Sequence, residues 1–197
     1  MDIERVIQST KELLEIRGEN VEELTSKLEE INTRDIMNEP VIIPLSNYVI
    51  VFATLKNSFK EFWSSIRNIT SENFKEQYES NKVILILGEY PPSVTLQSLQ
   101  QKDIQFHEDG GFIHIFLTKE LMYNPTKHSL VPKHEKMTET EVKKLMEQLQ
   151  LKKKTQLPFI LKTDIISRWL GLKQGDVVKI TRYSETSGEY YYFRCCV

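Results

Sequence analysis

Asp164-Ile165-Ile166-Ser167-Arg168-Trp169-Leu170-Gly171-Leu172-Lys173-Gln174-Gly175-Asp176-Val177-Val178-Lys179-Ile180-Thr181 carries helix, turn and strand signals in close succession. Asp164 can cap a brief helix running through Trp169-Leu170. Gly171 can take the left-handed geometry that ends it, and Gly175 serves a tight turn into the strand Val177–Thr181. A second β-former run, Tyr190-Tyr191-Tyr192-Phe193-Arg194, follows Ser184-Glu185-Thr186-Ser187-Gly188. The two runs predict a hairpin whose loop exceeds a two-residue turn.

Working outward, Leu157-Pro158-Phe159-Ile160-Leu161 reads as an edge strand, because proline cannot donate to a ladder. Thr138-Glu139-Thr140-Glu141 is a capping box, and Val142, Leu145, Met146 and Leu149 then give one apolar helical face. Lys152-Lys153-Lys154 places cations after that helix, near its negative pole. The stretch Met122–Met137, with Asn124-Pro125, Val131-Pro132 and Lys133-His134, reads as a polar, proline-punctuated connector.

Upstream the pattern changes. Ile3, Val6, Ile7, Leu13 and Leu14 recur near helical spacing; after Gly18, Val21, Leu24, Leu28 and Ile31 do so again, with Asn20 as N-cap. Tyr48–Phe52 and Lys82–Leu87 are continuous β-former runs, and Phe59, Phe62, Trp63, Ile66 and Ile69 between them fall at helical spacing. Val94, Leu96 and Leu99 form a short helix leading to Ile104-Gln105-Phe106, and Asp109-Gly110-Gly111 turns the chain into Phe112–Phe116. Apolar strands separated by helices predict a sheet covered on both faces, with parallel pairs. The chain thus divides into an α/β domain over residues 1–122, a connector over 123–137 and a small α+β domain over 138–197.

With 40% apolar and 27% charged residues in 197, disordered and fibrous readings fail, and no apolar run approaches the ~20 residues of a membrane span. Met1-Asp2-Ile3-Glu4-Arg5 is acidic and amphipathic, unlike a signal or transit peptide. The two cysteines, Cys195 and Cys196, make neither a disulfide framework nor a metal site, which fits a reducing compartment. On alternate faces of a strand, one is expected buried and inert, the other outward. The net charge of −2 hides an asymmetry: from His128 onward 13 Lys and Arg face 8 Asp and Glu, leaving 13 against 20 before it. The halves therefore carry −7 and +5.

The sequence assembles no catalytic set. It holds no phosphate-binding glycine loop, and no cofactor or metal is expected, since His107, His114, His128 and His134 lack metal-ligand spacing. His114, inside an apolar strand, reads as a hydrogen-bonded structural residue. Glu141-Val142-Lys143 imitates half of a nuclease site but lies in the capping box. Lys152–Lys154 can touch phosphate or simply end a helix in solvent. The tyrosines of 190–192 alternate faces, so at least half of the Tyr190–Phe193 set is expected in the core, with the remainder suited to a protein interface.

The last seventy residues resemble a known family. His128-Ser129-Leu130-Val131-Pro132-Lys133-His134, Gln156-Leu157-Pro158, Trp169–Ile180, Arg182–Tyr190 and Arg194 follow, in order, the assembly domain of the fifth subunit shared by the eukaryotic nuclear RNA polymerases. Archaeal relatives of that family consist of little more than this domain. Leu87-Gly88-Glu89-Tyr90-Pro91-Pro92-Ser93 with the following helix is similar to the loop of the eukaryotic subunit's N-terminal jaw. The chain departs from the pattern at Ile165-Ile166, Ser187 and Pro91, and the Arg-rich stretch before the jaw's first strand is reduced to Arg34.

The resemblance implies a non-catalytic structural subunit. Its jaw would have a restriction-endonuclease-like fold without catalytic residues, and its partners would be the other polymerase subunits and downstream duplex DNA, with no membrane and no small-molecule substrate. It implies docking on the largest subunit through Arg168, Trp169, Leu170, Gly171, Lys173, Arg182, Ser184, Glu185, Thr186, Gly188 and Tyr190. Pro92 and Ser93 would face DNA. The implied location is the nucleus, or a viral factory or virion for a large DNA virus. A free-standing transcription adaptor on the same assembly fold is the alternative.

Phosphate neutralisation requires cations facing the duplex, and the first half is net acidic. The isolated chain is therefore expected to bind duplex DNA weakly or not at all at physiological salt in a filter-binding titration. Tight binding with a steep salt slope, removed by deleting residues 1–122, contradicts the charge argument.

Overall fold

The Asp2 carboxylate accepts the Arg5 N–H at 3.2 Å and opens α1 (Ile3–Ile16), satisfying a donor that a helix start otherwise leaves unpaired. The computed structural model describes residues 2–31, 33–55, 60, 78, 80–186 and 188–197. It forms two units, Met1–Tyr123 and Asn124–Val197.

In the first unit, α1 buries Ile3, Val6, Thr10, Leu13 and Leu14 along one stripe. Asn20 caps α2 (Val21–Glu30) by accepting the Glu22 N–H at 2.9 Å. The Glu23 carboxylate accepts Ser46 N–H at 3.1 Å, Ser46 Oγ–H at 2.9 Å and Lys27 Nζ at 3.2 Å. Desolvation raises the Glu23 carboxyl, but these bonds outweigh it and hold the group below its ordinary range. The helix expected from Phe59, Phe62, Trp63, Ile66 and Ile69 lies outside the described residues.

Two short elements carry no clear periodicity in the sequence: α3 (Thr33–Asn38) and β1 (Val41–Pro44). β1 is followed by β2 (Val49–Ala53), β3 (Lys82–Leu87) and β4 (Phe112–Leu117) in a sheet of order β1-β2-β3-β4. β1 runs antiparallel to β2, while β2–β3 and β3–β4 are parallel. β2 is buried throughout and β3 is buried beyond Lys82, as continuous apolar runs require.

One face gathers Val49, Val51, Val83 and Leu85 beneath Leu99 and Phe106. Both covering residues belong to a single helix, α4 (Ser93–Glu108), which runs unbroken through the Ile104–Phe106 stretch expected to follow a shorter helix. The opposite face holds a buried cation. Arg17 lies 5.5 Å from the ring centroids of both Tyr48 and Phe112, and its Nη2 donates to His114 Nδ1 at 3.0 Å. Because a guanidinium only donates, His114 accepts there as a neutral ring. Burial lowers the Arg17 pKa from its usual value, against the opposing pull of Tyr48.

The second unit contains β5 (Lys133–Lys136), α5 (Glu139–Gln148), β6 (Phe159–Ile160), α6 (Ile165–Trp169), β7 (Val177–Ser184) and β8 (Gly188–Cys196). Its sheet has the order β5-β7-β8-β6. β5 and β8 each run antiparallel to β7, and β6 pairs parallel with the end of β8. The stretch expected as a connector therefore supplies an edge strand, Lys133 facing Thr181 and Lys136 facing Val178.

The capping box forms as expected: Thr138 Oγ1 accepts Glu141 N–H at 3.3 Å, and the Glu141 carboxylate accepts Thr138 N–H at 2.7 Å. Those bonds hold the Glu141 carboxyl below its usual range. The cationic helix end does not form. α5 stops at Gln148, Gln150 turns to φ 52°, and Lys154 pairs with Glu139 at 3.1 Å from beyond the helix.

Backbone crowding marks the end of the first sheet. Gly88 N–H donates to Ala53 O at 3.4 Å, and a Cβ on Gly88 would stand 1.8 Å from Thr54 O. Gly88→Ala is expected to destabilise the first unit by about 1–3 kcal/mol in urea unfolding. An unchanged midpoint would mean that β2 and β3 do not approach so closely.

Candidate functional site: a docking face on the second sheet

Strand alternation divides the base of the β7–β8 hairpin between two cores. Val177 and Cys195 join Val142, Leu145 and Leu157 on the α5 side. Val178, Ile180 and Cys196 join Ile160 and Leu172 on the other. Both cysteines are consequently buried, contrary to the expectation that one faces outward, because each face has its own cover. Burial raises both thiols, that of Cys196 to about 11, which suppresses thiolate chemistry.

The connection into β7 is equally fixed. Gly171 is buried at φ 65°, a geometry costly for any residue with a Cβ, and it ends α6 directly behind Trp169. Asp176 Oδ2 accepts Lys173 N–H at 2.7 Å and pairs with Lys136 Nζ at 2.6 Å. Its carbonyl accepts Cys196 N–H at 2.8 Å. The turn, β5 and the terminal strand are thus tied at one carboxylate residue.

Beyond this base the hairpin stands bare on both faces. Tyr183 is 82% exposed, and Tyr190, Tyr191 and Tyr192 are all exposed, so the expected burial of half the Tyr190–Phe193 set fails; only Phe193 reaches a core. Register explains the grouping. Arg182 faces Tyr190 across the ladder, Ile180 faces Tyr192 and Val178 faces Arg194, so these side chains share one face. The Arg182 and Arg194 guanidinium carbons lie 5.6 and 5.7 Å from the Tyr192 ring centroid. Arg194 Nη1 also donates to Phe159 O at 2.9 Å. On the reverse face, Lys179 Nζ sits 3.9 Å from the Tyr191 ring centroid, and the Tyr191 hydroxyl donates to Glu189 at 2.6 Å. That bond to a carboxylate raises the Tyr191 hydroxyl.

The expected contact residues separate into two groups. Trp169 is fully buried and Gly171 is buried, so neither offers a surface; they hold the turn in shape. Leu170 packs against the core containing Leu172. Arg168 Nε donates to Thr163 O at 3.2 Å, and Lys173 is engaged through its amide. Arg182, Glu185, Thr186 and Tyr190 are exposed, while Ser184 and Gly188, partly exposed, close the hairpin, with Ser184 Oγ 3.1 Å from Thr186 Oγ1. Ser187 lies outside the described residues. Tyr192, Arg194 and Lys179 are absent from the expected set; the period-two spacing of Tyr190, Tyr192 and Arg194 along one strand is the signal that finds the first two.

In the first unit, Pro92 and Ser93 are exposed at the start of α4, whose N-terminus has no side-chain cap and no acid in its first turn. Pro91 is buried and anchors the loop. Among the described residues no group of three or more His, Cys, Asp or Glu is arranged to hold a metal ion, and no helix is long and apolar enough to cross a membrane.

Residues 123–196 match the family model described as RNA polymerase Rpb5, C-terminal domain. The chain is 37% identical over 126 residues to "DNA-directed RNA polymerases I, II, and III subunit RPABC1" of Caenorhabditis briggsae, and equally to that of Caenorhabditis elegans. The alignment covers 64% of this chain and 56% of each relative, so the chain matches little more than half the relatives' length.

His134, on β5, gives this unit a pH dependence. Its half-buried ring donates from Nδ1 to Pro132 O at 2.6 Å, and burial outweighs that bond to lower its pKa below the usual value. The unfolded chain then binds the proton more readily than the folded one. Stability is therefore full above pH ~6.5 and falls as pH drops from there toward the folded pKa. Thermal melts between about pH 7 and 5 should show this decline, and His134→Gln should flatten it. Parallel declines in both proteins would mean that His134 is not its source.

Proposed function

We propose that the chain, whose residues 123–196 match the family model of the RNA polymerase Rpb5 C-terminal domain, is a non-catalytic structural subunit of a multisubunit DNA-directed RNA polymerase. The observation that carries this reading is the bare distal hairpin on a base cored from both sides. A surface bearing Arg182, Tyr183, Tyr190 and Tyr192 has the aromatic and arginine enrichment of protein interfaces. Its rigid foundation lowers the ordering cost of association.

In this reading the second unit is the assembly domain. It docks on the polymerase's largest subunit through the exposed members of the 168–190 segment, with Trp169 and Gly171 maintaining the turn behind them. The first unit is the jaw, restriction-endonuclease-like and without a catalytic role, with Pro92 and Ser93 toward downstream duplex DNA. Such contacts position the duplex rather than read its sequence. The site of action is the nucleus, or a viral factory or virion should a large DNA virus encode the chain.

Co-expression of the full chain with the two largest polymerase subunits of the same source tests this. Retention at one-to-one stoichiometry through affinity purification and gel filtration is expected. Persistent absence from the assembled polymerase overturns the proposal and favours a free-standing adaptor. Cutting of duplex DNA by the isolated chain in Mg²⁺, lost when acidic residues of 1–122 are replaced, would instead identify a nuclease.

A further inference from the structure

Among the described residues, the outer edge of β8 is unpaired along most of its length. Cys195 N–H donates to Pro158 O at 2.8 Å and Val197 N–H to Ile160 O at 3.0 Å, so these amides point toward β6. Cys196 N–H points the other way, to Asp176 O. Register is unbroken back to Gly188, so the amides of Glu189, Tyr191 and Phe193 also face the β6 side. β6 pairs only with Cys195 and Cys196, and Pro158, which has no N–H, ends that ladder. Among the described residues no other strand lies beside β8.

This edge lacks the usual protection. Exposed edges are ordinarily blunted by lysine, proline or a bulge, because a row of unpaired backbone groups recruits another strand. Gly188–Phe193 contains no lysine or proline and no bulge. One face beside it is cationic: Arg182 and Arg194 converge on Tyr192, and neither makes an ion pair with a carboxylate among the described residues.

We propose that β8 accepts an extended segment of another polymerase chain as an added strand, and that acidic side chains at alternate positions of that segment meet Arg182 and Arg194. The proposal rests on the subunit reading above and specifies how the partner is held. Backbone pairing supplies adhesion to Glu189, Tyr191 and Phe193, while the two arginines select the partner's charge and register. An added strand passes about 4.8 Å from β8, which brings alternate side chains beside Tyr192 within reach of both guanidinium groups.

The test uses the full chain alone and co-assembled with the largest polymerase subunit, with hydrogen exchange read at single amides. Glu189, Tyr191 and Phe193 are expected to exchange rapidly in the free chain and to slow by about a hundredfold or more in the complex, as newly laddered amides do. Tyr190 and Tyr192, which face β7, should already be slow. A complex that forms while the three edge amides remain fast overturns strand addition and leaves the subunit reading intact. Failure of the complex to form overturns both.

Arg182→Glu combined with Arg194→Glu probes the charge. With the fold confirmed by circular dichroism, affinity for the largest subunit should fall about tenfold or more, as for a reversed interfacial charge. Unchanged affinity contradicts the acidic partner. Intact assembly with lost retention on duplex DNA would assign the arginines to phosphate, and the proposal falls.

Discussion

The second unit depends on the β7–β8 hairpin being clamped from both faces at its base. Alternation sends Val177 and Cys195 to one core and Val178, Ile180 and Cys196 to another, so neither face can slip without exposing apolar surface. Each fully buried aliphatic side chain contributes roughly 1.5–3 kcal/mol relative to exposure. Clamped in this way, the outer half of the hairpin can carry aromatic and cationic side chains for which the fold itself has no use. Asp176 joins this base to β5 through Lys136 and to the terminal strand through its carbonyl.

The first unit solves a different problem. Its two central strands are apolar on both faces and must be covered twice. α4 supplies one cover through Leu99 and Phe106. On the other face a cation is buried among Tyr48, Phe112 and His114, where ring contacts and hydrogen bonding substitute for water. His114 accepts a hydrogen bond from Arg17 as part of that packing.

Much of this architecture is legible in the sequence wherever local chemistry is strong. The Thr138–Glu141 capping box, the helix stop at Gly171 and the turn at Gly175 all form at the residues that signal them. β5 is illegible because Lys133-His134-Glu135-Lys136 has no apolar alternation; it is a strand only because β7 offers it a ladder. α4 looks shorter than it is, since its buried Leu99 and Phe106 are two turns apart in a glutamine-rich sequence. The cysteines and tyrosines mislead for one reason: alternation tells which residues share a face, but not which faces are covered. In the candidate site, that same alternation groups Tyr190, Tyr192 and Arg194 along one strand, whereas recruitment of Arg182 requires the register of the opposite strand.

The central claim is that the distal hairpin, rather than the buried turn behind it, meets the partner. Oxidative footprinting of the free chain and of the assembled polymerase addresses it directly. Tyr183, Tyr190 and Tyr192 should be reactive in the free chain and shielded on assembly, while buried Trp169 stays unreactive in both. Equal reactivity of those tyrosines before and after assembly would contradict the account.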